Sequence, residues 1–276
     1  MEELLSLVLT VQPLELPAGR QEFPRWWGRA AQAALLALVE ARNPALAAQL
    51  HLASVARPYT VSNLMGHFEP KSGAPALENT YWLRWTALSA ELSGLLLDFA
   101  ETAQASSLEL DHIPFRVLAA AHKAETQPWA GSASYAALGA RFLAGLGPAR
   151  RVTFQFTSPV VFKSGGLSHP LPSASLVFHS LLERWNAFAP LTLGPEVQRF
   201  AEECLAVSRF ELKSRPVALK DGGLRIGAVG ALTFTATHPD KFWLGQIQTL
   251  AAFAQFAGVG AGTAQGLGQT RMLTAE

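Results

Sequence analysis

Cysteine, charged residues and long apolar runs are all scarce in this sequence. Its only cysteine is Cys204, which excludes an internal disulfide framework and is compatible with a reducing cytoplasm. No apolar run reaches the roughly eighteen residues of a membrane span, and the start Met1–Leu4 lacks the basic residues of a signal peptide. Charged residues make up 16% and hydrophobic ones 49%, so packed cores are expected rather than disorder.

Metal-ligand patterns are also missing. The seven histidines are scattered without paired spacing, and no carboxylate cluster stands out, so we expect neither a metal nor a cofactor. The net charge of +1 does not favour a large nucleic-acid surface. Cationic residues nevertheless gather in two places, around Arg20–Arg29 and around Arg209–Arg225, so a local basic stripe stays open.

The first half of the chain alternates between strand and helix patterns. Apolar residues at every second position over 5–11 predict a half-buried strand, and the apolar spacing from Pro24 to Leu38 predicts a helix. Asn43 is expected to cap a short helix over 44–50. Further strands are predicted over 58–65, 80–88 and 107–119, and a further helix over 91–101. This order is β-α-β-β-α-β.

The second half repeats this order. Strands are predicted over 152–157, 210–219, 224–236 and 269–273, helices over 175–188, 196–205 and 240–256, and a turn over 221–223. We therefore predict an α+β protein of two tandem ferredoxin-like, or RRM-like, domains. They would cover 1–126 and 149–276, joined by a linker over 127–148 that holds a helical stretch. This fold hosts many functions, so function must be argued from sites.

The stretch Gly258–Gly268 has five glycines in eleven residues, between a predicted helix and a predicted strand. Such a cluster suits a backbone that turns sharply and presents bare N–H groups to an anion such as phosphate. The dinucleotide pattern fails at Thr263 and Gln265, and no lysine completes a P-loop. A phosphate-binding loop and a flexible connection both remain open on this observation.

His51 follows the predicted helix over 44–50, where the helix dipole favours a cationic side chain. Arg57 comes six residues later, just before a predicted strand. A histidine that exchanges protons near neutral pH, with a cation beside it to stabilise a phosphorane, suits RNA backbone cleavage. An ordinary surface histidine is the alternative that this spacing leaves open.

Two distant motifs of the chain resemble those of the CRISPR-associated endoribonucleases that process precursor CRISPR RNA. The matching segments are Asn43–Pro44, Leu50–His51, Arg57–Ser62, Gly258–Gly260 and Gly266–Gly268. Members of that family have a Leu-His pair followed by a Phe/Tyr-Thr-x-Ser strand, and a C-terminal glycine loop with two G-x-G ends. The elements come in the family's order over nearly the whole chain.

The resemblance implies a metal-independent ribonuclease that cuts a stem-loop repeat on its 3′ side, using the substrate's own 2′-hydroxyl as nucleophile. The products would be a 2′,3′-cyclic phosphate and a 5′-hydroxyl. His51 matches the family's catalytic histidine, as base on the 2′-hydroxyl or acid on the 5′-oxygen, and Arg57 matches a cation that stabilises the transition state. Relatives have a catalytic tyrosine or a histidine on the first helix where this chain has Leu36 and Gln32, so the second acid or base stays open.

Further residues are predicted to contact RNA. They are Arg25, Arg29, Lys163, Ser164, Lys213, Arg215, Gly258, Gly260, Gly266 and Gly268. Lys213 and Arg215 alternate on one strand face and would follow one phosphate track, although a solvated strand face is equally compatible. The pair Trp26–Trp27 is suited to stacking on bases or to packing in a core.

The alternative function is a catalytically inactive RNA-binding subunit of a CRISPR effector complex, which would keep the fold and the glycine loop. The expected partner is a stem-loop CRISPR repeat RNA. Other effector subunits and a second copy of the chain stay open as protein partners, and no membrane contact is expected.

Overall fold

The computed structural model of the chain describes residues 2–52, 56–143, 148–218 and 223–273. The chain divides into two compact units. The first comprises Met1–Ser132 with Ala264–Gly266, and the second comprises Ala133–Thr263 with Leu267–Glu276. None of the helices in the described ranges combines the length and the apolar composition that crossing a membrane requires.

The first unit follows the predicted β-α-β-β-α-β order with three additional elements. Its elements are β1 (Leu4–Pro13), α1 (Gly28–Arg42), α2 (Pro44–Leu52), β2 (Tyr59–Val61), β3 (Tyr81–Ala87), α3 (Ala90–Thr102), β4 (Ser107–Leu110), β5 (Ile113–Ala121) and β6 (Gly131–Ala133). The antiparallel sheet has the order β2-β3-β1-β5-β4, and β6 also pairs with β1. The single strand region expected over 107–119 is a hairpin, because Asp111 and His112 adopt positive φ angles and turn the chain.

The central strand β1 is buried on both faces, so the prediction of a half-buried strand was wrong. Leu5, Leu7, Leu9 and Val11 form the core with α1 and α3, as the alternation predicts. On the opposite face Val8 packs against Trp129 and Ala130, and the Ser6 hydroxyl donates to the carbonyl of Trp129 at 2.5 Å. A covering segment more than a hundred residues away supplies this burial, so local alternation could not reveal it.

The first helix begins at Gly28 and not at Pro24 as predicted. The backbone N–H of Trp27 donates to Asn63 Oδ1 at 2.6 Å. Arg25 donates to the carbonyls of Pro70 and Lys71 at 3.2 and 2.8 Å. These tertiary hydrogen bonds hold the segment before Gly28 against other parts of the unit, and the first helical turn begins only after it.

The second unit repeats the order. Its elements are α4 (Tyr135–Leu143), β7 (Arg151–Val160), β8 (Phe162–Ser164), β9 (Leu167–His169), α5 (Ala174–Phe188), α6 (Glu196–Cys204), β10 (Leu205–Ala218), β11 (Leu224–Ala236), α7 (Lys241–Ala257) and β12 (Thr270–Leu273). A 3-10 turn (Thr263–Gln265) begins in this unit, and its last two residues are counted with the first unit. Its main sheet is antiparallel with the order β10-β11-β7-β12. In both units the first and third strands of the repeat are neighbours inside the sheet, and the predicted tandem ferredoxin-like fold is confirmed. The turn predicted at 221–223 falls mostly outside the described residues.

Aromatic side chains fill the core of the second unit. Phe154 on β7 packs edge-to-face on Phe178 of α5, with 5.9 Å between the ring centroids. The helical stretch predicted within the 127–148 linker is α4, which lies in this unit. Its Tyr135 packs edge-to-face on Trp185 and also contacts Phe253, at 5.1 and 5.8 Å. The structure therefore gives α4 a place in a core.

Candidate active site and RNA-binding residues

Helix α2 carries His51 in its last turn. Asn43 caps the helix as predicted, since its Oδ1 accepts a hydrogen bond from the backbone N–H of Leu46 at 3.0 Å. Leu46, Ala47 and Leu50 are buried in the core of the first unit. His51 follows Leu50 and is exposed, so its imidazole is open to solvent while its helix is fixed to the core.

Arg57 is anchored to the end of the same helix. Its Nη1 donates to the carbonyl of Leu50 at 3.2 Å and to the hydroxyl of Tyr59 at 3.1 Å. Its Cζ also lies 6.0 Å from the centre of the Tyr59 ring. Because Leu50 directly precedes His51, the guanidinium is held against the helical turn that carries the imidazole. Residues 53–55, between them in the sequence, lie outside the described residues.

Gln32 on α1 also takes part in the hydrogen bonds around Tyr59. The Gln32 side-chain amide donates to the Tyr59 hydroxyl at 3.0 Å. Tyr59 is fully buried, with 0% of its surface exposed. Leu36, one turn further along α1, packs against the apolar core and has no group that could carry a proton. Gln32, Tyr59, Arg57 and the Leu50 carbonyl are therefore joined by hydrogen bonds beside His51.

The segment before α1 holds the tryptophan pair and two predicted RNA-contacting arginines. Trp27 is a core residue that stacks on Phe68, with 5.9 Å between the ring centroids. Trp26 is partly exposed, and its Nε1 donates to the carbonyl of Gln265 at 2.7 Å. Arg29 is exposed in the first turn of α1, whereas Arg25 is tied to backbone carbonyls as described above.

The backbone N–H groups of the glycine-rich stretch are largely used inside the protein. Besides the 3-10 turn over Thr263–Gln265, six residues of the stretch donate to protein acceptors: Gly258, Val259, Gly260, Ala261, Leu267 and Gly268. The N–H of Val259 donates to the carbonyl of Gly268 at 2.9 Å, and that of Gly268 to Pro159 at 3.0 Å. For these residues the expectation of bare N–H groups facing an anion was wrong, because the loop closes on its own strands. Whether the glycines contact RNA stays a prediction.

Close backbone packing explains why these positions are glycine. All five have positive φ angles, from 63° at Gly258 to 91° at Gly266. A Cβ at Gly268 would clash with the carbonyl oxygen of Val259, and one at Gly260 with that of Val161. A Cβ at Gly266 would lie 3.0 Å from the Cα of Gly28. Within each unit, the glycines therefore let two backbones approach closely.

Arg184 and Ser180 on α5 hold the start of this loop. Arg184 Nη1 donates to the carbonyl of Ala257, the last residue of α7, at 2.7 Å, and Nη2 to that of Gly260 at 3.4 Å. The Ser180 hydroxyl accepts from the N–H of Gly260 at 2.8 Å. Burial lowers the pKa of Arg184 to about 10, against the raising effect of neighbouring Glu183. The carbonyls at the negative end of the α7 dipole stabilise this desolvated cation.

Several known proteins are similar to this chain in sequence or in fold. The sequence profile of the family "CRISPR-associated endoribonuclease Cas6" matches residues 154–270. A solved Cas6 product complex has a TM-score of 0.80 and 28% identity, covering 99% of this chain and 100% of that one. Thermus thermophilus Cas6 has a TM-score of 0.72 and 25% identity, covering 99% of both chains.

The chain is therefore similar to Cas6 proteins, in sequence over residues 154–270 and in fold over nearly its whole length. A curated CRISPR-associated endoribonuclease Cas6 from Mycobacterium tuberculosis is 31% identical over 126 residues, which are 45% of this chain. The match spans only 39% of that Cas6 relative. The family resemblance inferred from the histidine and glycine motifs is therefore confirmed.

A short hairpin carries two further predicted RNA contacts. Lys163 and Ser164 end β8 and are exposed, directly before the tight turn Gly165–Gly166. The Ser164 carbonyl lies 3.3 Å from His169 Nε2 on the paired strand β9. The expected polar turn is therefore a β-hairpin tip in which the Lys163 ammonium is free to reach solvent.

The edge strand β10 displays Lys213 and Arg215 on one face, both exposed. Register places Arg209 on the same face, opposite Thr233, which in turn pairs with Thr153 of β7. The two threonine hydroxyls lie 3.0 Å apart. This face is the one not used for the helix-packed core, because the alternate β7 residues are the buried ones.

The sequence alone did not identify Arg151 and Arg271, or place Arg209 with them, on this sheet face. Arg151 and Arg209 line a cavity with Glu211 and Thr233, and Arg271 donates through Nε to Gln155 Oε1 at 2.8 Å. Lys213 and Arg215 lie on the same face of β10, as does the carboxylate of Glu211. The alternation of β7 indicates which of its residues share a face. Which residues of β10 and β12 lie on that same face can be known only from the strand pairing in the structure. Among the described residues, no three His, Cys, Asp or Glu side chains cluster as metal ligands would.

Proposed function

We propose that this chain is a metal-independent endoribonuclease that binds CRISPR repeat RNA and cleaves precursor CRISPR RNA within the repeat. Similarity to Cas6 endoribonucleases supports the reaction class. The observation that carries the proposal is the hydrogen bond from Arg57 to the carbonyl of Leu50, next to His51. It brings a cation and a proton-exchanging group to one end of α2.

In the proposed reaction the 2′-oxygen of the nucleotide upstream of the scissile phosphate attacks phosphorus. The P–O5′ bond breaks, the 2′-hydroxyl proton passes to a base, and the 5′-oxygen takes a proton from an acid. The products are a 2′,3′-cyclic phosphate and a 5′-hydroxyl. His51 serves as the base or the acid, since histidine exchanges protons near neutral pH. The Arg57 guanidinium stabilises the charge that develops on the phosphorane.

Phosphate contacts would supply most of the affinity for RNA. The proposed contacts are the exposed cations Arg29, Lys163, Lys213 and Arg215, together with Arg25 and the Ser164 hydroxyl. Arg151 and Arg209 extend the β10 track across the sheet. Gly258, Gly260, Gly266 and Gly268 would shape the loop backbone near RNA. The open sheet face has threonine, alanine and glutamine where RRM sheets place stacking aromatics, so it suits phosphate contacts better than base stacking.

The test is single-turnover cleavage of a matched stem-loop repeat RNA in the presence of EDTA. We expect cleavage, and we expect a substrate with a 2′-deoxyribose directly upstream of the scissile phosphate to bind with unchanged affinity and stay intact. Cutting of the deoxy substrate, or loss of all cleavage in EDTA, would contradict the mechanism. Tight binding of the ordinary substrate without any cleavage would support the alternative, an RNA-binding subunit of an effector complex.

A further inference from the structure

Tyr59 has unusual partners for a buried tyrosine. Its hydroxyl accepts hydrogen bonds from two side chains, Gln32 at 3.0 Å and Arg57 at 3.1 Å. Because its surface exposure is 0%, the phenol cannot contact an RNA substrate directly. Its effect on any reaction must therefore pass through the groups that it binds.

The other buried tyrosine of this sheet provides a comparison. The Tyr81 hydroxyl accepts from the backbone N–H of Ala76 at 2.9 Å and donates to the carbonyl of His67 at 2.6 Å. Those bonds fix loop backbone. The bonds of Tyr59 instead fix the side chain of Arg57, whose Nη1 also reaches the carbonyl of Leu50.

The two hydrogen bonds that Arg57 donates to described residues both come from the same nitrogen. Nη1 makes both contacts, and neither Nη2 nor Nε donates to an acceptor among the described residues. A guanidinium held through Nη1 has a restricted orientation, and its planar fork of five donors suits the binding of phosphate oxygens. Gln32 adds a second donor to the phenol from α1, which fixes the acceptor itself.

We propose that Tyr59, supported by Gln32, is a positioning residue that orients Arg57 toward the scissile phosphate. This inference rests on the proposed ribonuclease function. The side chains of Arg57 and Tyr59 are already ordered before RNA binds. Less conformational entropy is therefore lost when the reactive geometry forms. Gln32 thus acts in building the site and not in moving a proton, because its neutral amide does not titrate.

The experiment compares Tyr59→Phe with Tyr81→Phe, each of which removes one hydroxyl with two hydrogen bonds and keeps the ring. We expect Tyr59→Phe to slow single-turnover cleavage about tenfold, the effect of losing one hydrogen bond to a charged group, with little change in RNA affinity. Tyr81→Phe should leave the cleavage rate unchanged. In an Arg57→Ala background, Tyr59→Phe should have no further effect, because the residue through which it acts is gone.

A second readout uses the protein without RNA. The NMR order parameter of the Arg57 side-chain Nε–H should fall in Tyr59→Phe and in Gln32→Leu, and stay unchanged in Tyr81→Phe. An unchanged order parameter in both variants, or an equal loss of cleavage with and without Arg57, would overturn the inference. If the wild-type protein bound repeat RNA but did not cut it, the proposed function would be wrong. The NMR order parameters would still show whether Tyr59 holds Arg57 in place. Gln32→Leu, on half-exposed α1, serves if Tyr59→Phe unfolds.

Discussion

Alanine at Gly268 should destabilise the second unit far more than alanine at Gly166, although both glycines have positive φ angles of 64° and 78°. A left-handed backbone costs a non-glycine residue about 1–2 kcal/mol at either site. At Gly166 an added Cβ would meet nothing within 4 Å. At Gly268 it would clash with the carbonyl oxygen of Val259.

The clash at Gly268 has no easy relief. Its own carbonyl accepts from Val259 N–H at 2.9 Å, and its N–H donates to the Pro159 carbonyl at 3.0 Å, so both sides of the residue are tied. Forcing an extra carbon into a packed site costs about 1–3 kcal/mol beyond the strain in φ. We therefore expect a loss of about 1 kcal/mol in Gly166→Ala and about 3 kcal/mol in Gly268→Ala.

Thermal and urea unfolding, followed by circular dichroism, measure this difference. One kcal/mol corresponds to about 2–4 °C in Tm for a domain of this size class. The Tm of Gly268→Ala should thus fall about three times as far as that of Gly166→Ala, in the transition of the second unit. Equal shifts in the two variants would show that the approach of Gly268 to Val259 does not constrain the fold, and the reasoning would be refuted.

Three further predictions concern cleavage, the loop anchor and the basic track. His51→Ala should slow cleavage about a hundredfold or more, as expected for a lost general acid or base, while a gel-shift assay shows RNA binding nearly intact; near-normal cleavage would remove His51 from the mechanism. Arg184→Gln should lower the free energy of unfolding in urea by about 1–2 kcal/mol, because the loop carbonyls lose charged donors. The exposed Arg199→Gln, its control, should change it by at most about 0.5 kcal/mol; similar losses would argue against the anchor. Arg215→Ala should reduce the slope of log affinity against log salt by about 1 if Arg215 contacts a phosphate, and an unchanged slope would remove it from the track.

Local chemistry made several elements predictable. The start of α2 follows from Asn43 and Pro44, because a cap is a contact between residues three apart in the sequence. The bounds of β11, Leu224–Ala236, equal the predicted ones, since alternation marked the strand. The start of α1 was not predictable in this way, because the Trp27 N–H is held by Asn63, thirty-six residues away.

In the candidate site around Arg57, too, some features were predictable from the local sequence and others were not. The motif placed His51 and Arg57 near each other in the sequence, and Gln32 stood out only as a departure from the family pattern. Its role depends on the phenol of Tyr59, which joins α1 to the segment after α2. A pairing between residues twenty-seven positions apart has no local periodicity, so only the packed structure reveals it.

The glycine-rich stretch was the strongest signal in the sequence and also the one most open to misreading. A loop that offers its N–H groups to an anion and a loop that packs its backbone on its own strands both need positive φ angles and no Cβ, so their compositions are alike. What distinguishes them is the acceptor of each N–H. Here Gly268, Pro159 and Val161 supply carbonyl acceptors to the loop, and Ser180 supplies a hydroxyl. The sequence could therefore predict the backbone conformation of this loop but not the acceptors of its N–H groups.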